Sequence, residues 1–411
     1  MVITLRPRCF IPALALTALV ATPLKGQDPN QNPNQNQRPA PEQLAAWLKQ
    51  YPEADGNGDG KLSIQEARAY REEALRQRKK PRGGGAGADL EFDPGWDEPR
   101  FPEHAACYKS AEELKVLYPN FASFDKPTDG ALRIVGTGHS FMMPGYRTLP
   151  SIVQAAGFAE QPLQLHTSGG VTGSTRYKWE QENGIFQFDG KPTPKLLASI
   201  ANAEWDAMTW GPYISDRPRF YGCWIEFCDQ YSPGMKFYLS DAWPSIRSLE
   251  KIPTSEDELT DAVIRGIDEE KDVHFARLVG ELREAYGDRI FILPTSEAMT
   301  LAVEAYHRGE LPGIEGIHRA VGKRENRALW NDPLGHLGTG LEWLEGYVFY
   351  ATLYQKSPAL IEERVGEKAG GFPSPELHDK FREIAWKAVL ANPLSGVVDS
   401  DGDGIGDTKA E

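Results

Sequence analysis

A chain of 411 residues has room for one large domain with accessory segments. With 40% apolar and 25% charged residues, it carries enough apolar material for a packed core, which excludes a wholly disordered chain. The net charge of −14 argues against nucleic acid as a partner, since phosphates need a basic face, and it suits solubility and hard-cation binding.

Residues 1–26 read as a secretory signal peptide. Arg6 and Arg8 precede an apolar run over Phe10–Leu24, too short and Pro-broken to span a bilayer, and small residues follow near Ala21 and Gly26. The mature chain is therefore expected to be exported, periplasmic or extracellular, with no membrane span. Residues 27–41 (QDPNQNPNQNQRPAP) form a polar, low-complexity linker with too little apolar area to fold.

Residues 42–80 carry an EF-hand pattern, DGNGDGKLSIQE, over Asp55–Glu66. Asp55, Asn57 and Asp59 fill the first, third and fifth ligand positions, and Gly60 sits at the sharp turn. Lys61 would offer its backbone carbonyl, Ser63 takes the water-bridged position, and Glu66 would bind Ca²⁺ through both oxygens. Glu42–Gln50 and Ile64–Lys79 have the spacing of flanking helices. Residues 81–104 form a second linker, Gly-rich and then acidic and Pro-punctuated.

The main domain is expected over 105–395. Leu132, Ile134 and Val135 predict a short buried strand, Gly136 and Gly138 a tight turn, and Ser140 follows. Helical spacing then runs over Leu149–Phe158, a short strand over Gln164–His166, and a Gly-rich turn over Ser168–Ser174. Thr175–Asn183 reads as a helix start or a lid. Leu196–Ala203 is a predicted helix, and Trp205–Trp210 a strand ended by Gly211 and Pro212. Met235–Leu239 is the next strand, followed by Asp241. A helix over Ser255–Tyr286, capped at Thr254/Ser255, leads to a strand over Arg289–Leu293. Helices are expected over Ser296–His307, Gly338–Leu353 and Pro375–Ala391.

Strands alternating with helices predict an α/β three-layer sandwich with a mainly parallel sheet, preceded by the small helical EF-hand segment. Ligands in such folds sit beyond the carboxyl ends of the strands, so Ser140, Gly169, Gly170, Gly211 and Asp241 are expected on one rim. A Ser between strand and helix is a nucleophile candidate that needs a base. His336 lies in NDPLGHLGTG with Asp332 four residues earlier, a pattern that suits a base and its orienting carboxylate. His139 and His166 are rivals on the rim. His104, His274, His307, His318 and His378 are expected at the surface.

Outside the leader, Cys107, Cys223 and Cys228 remain. A Cys223–Cys228 disulfide with Cys107 free is one arrangement, and the spacing does not suggest zinc. In the tail, residues 396–411, Asp399, Asp401, Asp403 and Asp407 repeat D-x-D-x-D-G spacing, but position twelve is Ala410 and the bidentate Glu is missing. This resembles a thrombospondin type 3 calcium repeat; a disordered acidic tail is the other reading.

Residues 131–358 resemble the SGNH (GDSL-like) hydrolase superfamily. VGTGHSF is similar to its nucleophile block and carries the nucleophile to Ser140. SGGVTGS is similar to the second block, whose Gly lends an N–H to the oxyanion; the match is Gly170, with Gly173 as alternative. WDAMTWGPY is similar to the third block, and NDPLGHLGTGLEWLEGYVFYATLYQKSP to the last, giving Asp332 and His336. The resemblance implies a flavodoxin-like fold and ester hydrolysis on acylated carbohydrate or another small ester. Ser140 would attack, His336 shuttle the proton, and Asp332 orient His336. The N–H groups of Ser140 and Gly170 would hold the oxyanion, with Gly211 at the third-block position.

The chain departs from the family at three points. His139 stands where Asn or Asp is usual. The third-block Asn is absent, with Tyr213 or Thr209 as possible substitutes. Three residues, where the family has two, separate Asp332 from His336. Trp179, Trp210 and Trp243 are candidates for apolar or sugar-stacking walls, or for core. A second reading is a non-catalytic, calcium-stabilised binding or surface protein on a degenerate hydrolase fold.

Overall fold

The computed structural model describes residues 44–45, 48–49, 52–56, 59–63, 66–67, 128–159, 163–167, 177, 196–212, 218–321, 327–366 and 371–407. The signal peptide, both linkers, Asn57, His104, Cys107, Gly170, Gly173, Trp179 and Tyr213 lie outside them. The chain divides into two compact units, Met1–Ala88 and Asp89–Glu411.

In the second unit, five parallel strands form one sheet in the order β2-β1-β3-β4-β5: β1 (Ile134–Gly138), β2 (Leu163–Thr167), β3 (Ala207–Trp210), β4 (Lys236–Ser240) and β5 (Ile290–Leu293). Ile134 registers with Leu163 on one side and Ala207 on the other, and Phe237 with Ile290. Strands β1, β3, β4 and β5 send apolar side chains to both faces because both are covered, while the edge strand β2 (LQLHT) turns Leu163 and Leu165 to one core only. Ile134, Ala207, Tyr238 and Leu293 enter one core; Val135, Met208, Trp210, Phe237, Leu239 and Ile292 enter the other.

Helices α1 (Met143–Ala155), α5 (Thr295–His307), α6 (Glu342–Tyr354) and α7 (Pro375–Ala391) build the first core. Helices α2 (Leu196–Asn202) and α3 (Arg219–Tyr231) build the second. The long α4 (Asp261–Tyr286) feeds both, Ile264 and Ile267 into the first and Leu278 and Leu282 into the second. The result is the three-layer α/β sandwich that the alternation predicts. Two short parallel strands, β6 (Gly316–His318) and β7 (Ala328–Trp330), form a separate sheet that the sequence reading lacks, as it lacks α3. No helix among the described residues is long and apolar enough to cross a membrane.

Gly136 and Gly138 are the last stretch of β1, not a turn. A Cβ on Gly136 would lie 2.6 Å from Thr209 Oγ1 and 2.7 Å from the Tyr146 hydroxyl, and one on Gly138 would lie 2.7 Å from Met142 Sδ. The glycines let β1, β3 and α1 pack closely. Helix α1 starts six residues ahead of expectation, at Met143, because Pro144 falls in the first turn, where a missing N–H costs nothing. Helix α4 starts late: Thr260 caps it by accepting from Val263 N–H, after a separate 3₁₀ turn over Glu256–Glu258. Cys223 and Cys228 are free and buried, five residues apart on α3, so the disulfide is not formed. The tail is ordered against the domain: Ser357 N–H donates to Gly404 O (2.7 Å), and Gly406 N–H to Gln355 O (2.7 Å).

Candidate active site

The chain leaves β1 at Gly138 and turns, with Met142 N–H donating to His139 O at 3.0 Å. Ser140 is exposed in this turn, and its N–H has no partner among the described residues. A second turn faces it. After β7, residues 331–337 fold back as a tight hairpin closed by Asn331 N–H to His336 O (2.7 Å) and a Trp330–Leu337 bridge. Asp332 Oδ1 accepts from the N–H groups of Leu334, Gly335 and His336 at 2.9, 3.2 and 3.3 Å. The three residues between Asp332 and His336 are this turn, and it brings the side chains together.

His336 Nδ1 lies 2.7 Å from Asp332 Oδ2, and His336 Nε2 lies 2.8 Å from Ser140 Oγ. With Nδ1–H donated to the carboxylate, Nε2 is left to accept from the Ser140 hydroxyl. That is the tautomer a general base requires. Partial burial raises the Asp332 carboxyl, but the hydrogen bonds and charge of His336, together with the Leu334 N–H, hold its pKa below the usual value. The arrangement can deprotonate Ser140 and direct it at an electrophilic carbon.

Aromatic rings frame the pair. Phe141 sits edge-on to His336 with centroids 4.9 Å apart, and 5.3 Å from Trp243. The Trp243 indole N–H donates to Gly335 O, next to His336. Trp243 follows β4 and its neighbour Asp241, whose Oδ1 accepts from Thr295 Oγ1 (2.8 Å) and Ser296 N–H (2.9 Å). Burial pushes the Asp241 carboxyl up, against the pull of Lys271. Phe141 and Lys271 carried no signal in the sequence, because what places them is contact across distant strands and helices.

Several expectations need correction. Gly211 N–H donates to Thr137 O at 2.9 Å, so the ladder occupies it and it cannot serve an oxyanion. Thr209 is buried, its hydroxyl 2.7 Å from that of Tyr146, and it does not replace the missing Asn. His139 is buried, with Nδ1 accepting from Phe141 N–H (3.4 Å) and Nε2 facing Pro212 O (3.4 Å), which ties it into the scaffold. Trp210 is enclosed by Tyr221 and Phe237, and Trp243 is 2% exposed, so neither is an open sugar platform. His318 and His378 are buried, not at the surface; His378 Nδ1 lies 3.0 Å from the Tyr347 hydroxyl. A cleft of about 390 Å³ lined by Trp205, Asp206, Lys236 and Tyr238 opens at the amino ends of β3 and β4, away from Ser140.

Two backbone-to-carboxylate contacts recur in both acidic loops. In the first unit, Asp55 Oδ2 accepts from Gly60 N–H (2.8 Å), Asp59 Oδ1 from Lys61 N–H (2.8 Å), and Glu66 Oε2 from the Ser63 hydroxyl (2.7 Å). In the tail, Asp399 Oδ2 accepts from Gly404 N–H (3.1 Å) and Asp403 Oδ1 from Ile405 N–H (2.7 Å). Gly60 and Gly404 adopt φ of +76° and +82°, the left-handed turn that glycine permits. One carboxylate oxygen from each of Asp399, Asp401 and Asp403 lies within 4.8 Å of the others, an all-oxygen set that fits Ca²⁺. Asp407 instead accepts from the Ser400 N–H at 3.1 Å.

The fold and site together define an α/β sandwich with a Ser–His–Asp set at the carboxyl edge of its sheet. The crystal structure of a DUF4886 family protein from Bacteroides uniformis ATCC 8492 is similar over 63% of this chain and 95% of its own, at 12% identity and a TM-score of 0.41. No protein-family model matches the chain, and no curated protein matches it.

Proposed function

We propose that the chain is an exported serine hydrolase of the SGNH (GDSL-like) type, cleaving esters of acylated carbohydrate or another small ester, with Ca²⁺ held by its acidic loops. The observation that carries this reading is the relay of Ser140 Oγ to His336 Nε2 at 2.8 Å and His336 Nδ1 to Asp332 Oδ2 at 2.7 Å. His336 takes the Ser140 proton as the hydroxyl attacks the ester carbonyl, and returns it to the leaving alcohol. Water then enters by the same route to release the acid. Asp332 fixes the tautomer and stabilises the imidazolium. The extra residue between Asp332 and His336 is absorbed by the hairpin, so that departure from the family does not separate the pair.

The oxyanion side is thinner. Ser140 N–H supplies one donor, Gly170 is the candidate for a second, and the third-block side chain is missing. Loss of one donor costs about 10²–10³ in rate, so slow turnover is expected. The leader pattern over residues 1–26 supports export. The ligand positions at Asp55, Asp59, Lys61 and Glu66 support calcium binding, as do Asp399, Asp401 and Asp403.

The second reading, a non-catalytic binding protein on the same fold, is favoured by the occupied Gly211 N–H. Hydrolysis of p-nitrophenyl acetate and acetylated monosaccharides separates the two. The wild type should exceed the blank, and Ser140→Ala should lose about 10³-fold or more of kcat. Equal rates for both proteins and the blank on every ester would favour the binding protein.

A further inference from the structure

We propose that Lys271 is a positioning residue for His336: its ammonium group pins the turn after β4 on which the Asp332–His336 hairpin is seated. The inference rests on reading Ser140, His336 and Asp332 as the reacting set, and Lys271 touches none of their atoms.

Lys271 reaches from α4 and donates to three consecutive backbone carbonyls, those of Asp241 (2.7 Å), Ala242 (2.7 Å) and Trp243 (3.0 Å). An ammonium group has three N–H donors, so each carbonyl receives one. A lysine that served only to neutralise buried acid would aim at carboxylates. Asp241, Asp268 and Asp272 are near enough to balance its charge, yet all three bonds go to the backbone.

The turn it holds is not one the chain adopts freely. Ala242 has φ of +52°, the left-handed region, which is costly for a residue with a Cβ and persists only where surrounding contacts impose it. Ser240 Oγ accepts from Ala242 N–H at 3.2 Å, and Asp241 is locked to the start of α5, so the turn is gripped at both ends.

The turn's outer face is the seat of the catalytic hairpin. Trp243 donates its indole N–H to Gly335 O, and Gly335 lies against Trp243, Pro244 and Ser245. Phe141, beside the nucleophile, touches both Trp243 and His336. The chain of contacts from Lys271 through the carbonyls, Trp243 and Gly335 to His336 has no gap. Displacement of His336 by even about 1 Å lengthens its bond to Ser140 and costs about 10²-fold in rate.

The test uses Lys271→Met, Lys271→Arg and Trp243→Phe in the full chain. Two readouts are taken: the downfield ¹H signal of the His336 Nδ1–H shared with Asp332, assigned by its loss in His336→Gln, and kcat and KM on a short-chain ester. Lys271→Met should broaden or lose the signal and lower kcat about 10–10²-fold with little change in KM. Lys271→Arg should restore part of both. Trp243→Phe should give the same signature, and the double variant should be no worse than either single one. A folded Lys271→Met or Trp243→Phe that keeps the sharp signal overturns the proposal. The proton signal does not depend on turnover, so a wild type that cleaves no ester would defeat the hydrolase reading while the positioning claim is still decided. Should Lys271→Met fail to fold, Trp243→Phe and Lys271→Arg decide it by the same signal.

Discussion

Ser140 and His336 stand 196 residues apart in the chain, yet their side chains meet at 2.8 Å. Each is presented by a turn; the one that carries His336 is signalled in the sequence, and the one that carries Ser140, closed by Met142 N–H to His139 O, is not. NDPLGHLGTG showed a His and an Asp on a Gly-rich segment, and the hairpin realises that pairing. Glu345 shows what such reading does not reach. It lies buried on α6, with Oε2 accepting from Gly145 N–H (2.7 Å) at the start of α1, and burial pushes its carboxyl well above the usual range. Its folded pKa is above its unfolded one. Between those values the folded state holds the extra proton, so stability falls as pH rises from about 4.3, the unfolded value, through the folded pKa. Glu345→Gln cannot titrate. Its urea midpoint relative to the wild type should therefore rise from pH 5 to pH 8, and a difference independent of pH would contradict the buried neutral acid.

Among the elements, β3, β4 and β5 are legible because each is built on a short, mainly apolar run, as a sheet covered on both faces favours, whereas β6 and β7, three residues each, are too short to stand out. The end of β1 differs from the expected turn for a physical reason. Gly-x-Gly marks a turn when only local conformation is considered, but here the glycines answer Thr209 of β3, Tyr146 of α1 and Met142 of the turn that leads into α1. Gly136→Ala should destabilise the domain by about 1–3 kcal/mol in urea unfolding, the cost of overpacking a tight core, and an unchanged midpoint would show that the contact yields freely. Helix α3 was missed although Phe220, Tyr221, Trp224 and Phe227 are all buried, because its flanks carry no capping signal: Pro218 precedes it with no side-chain cap. His318 and His378 are expected at the surface but are buried, because helical or loop position does not reveal burial. The neighbours that cover them, Trp330 and Tyr347, lie 12 and 31 residues further along or back.

For the molecule as a whole, a charge of −14 and two aspartate-rich loops are consistent with a chain that takes up hard cations. The tail loop is fastened to the segment that follows α6 through Ser357 and Gln355, so an ion held by Asp399, Asp401 and Asp403 would be linked to the folding of the sandwich. At free Ca²⁺ of 100 times the dissociation constant, linkage at one such site contributes about 2.7 kcal/mol. Calcium should raise the Tm over that in EDTA, and Asp401→Ala should remove the tail's share. In titration calorimetry, Asp55→Ala and Glu66→Ala should weaken a separate binding event. A Tm and a heat signal indifferent to calcium would contradict both sites.

Hydrolysis at this site turns on Ser140 being a nucleophile that His336 activates. The most direct measurement is covalent labelling with a fluorophosphonate, which traps an activated serine whatever the natural ester, followed by peptide mass spectrometry. A single adduct is expected on Ser140, formed at least about 10³-fold more slowly in His336→Ala and more slowly in Asp332→Ala. No adduct at Ser140, or one formed at the same rate without His336, would contradict it.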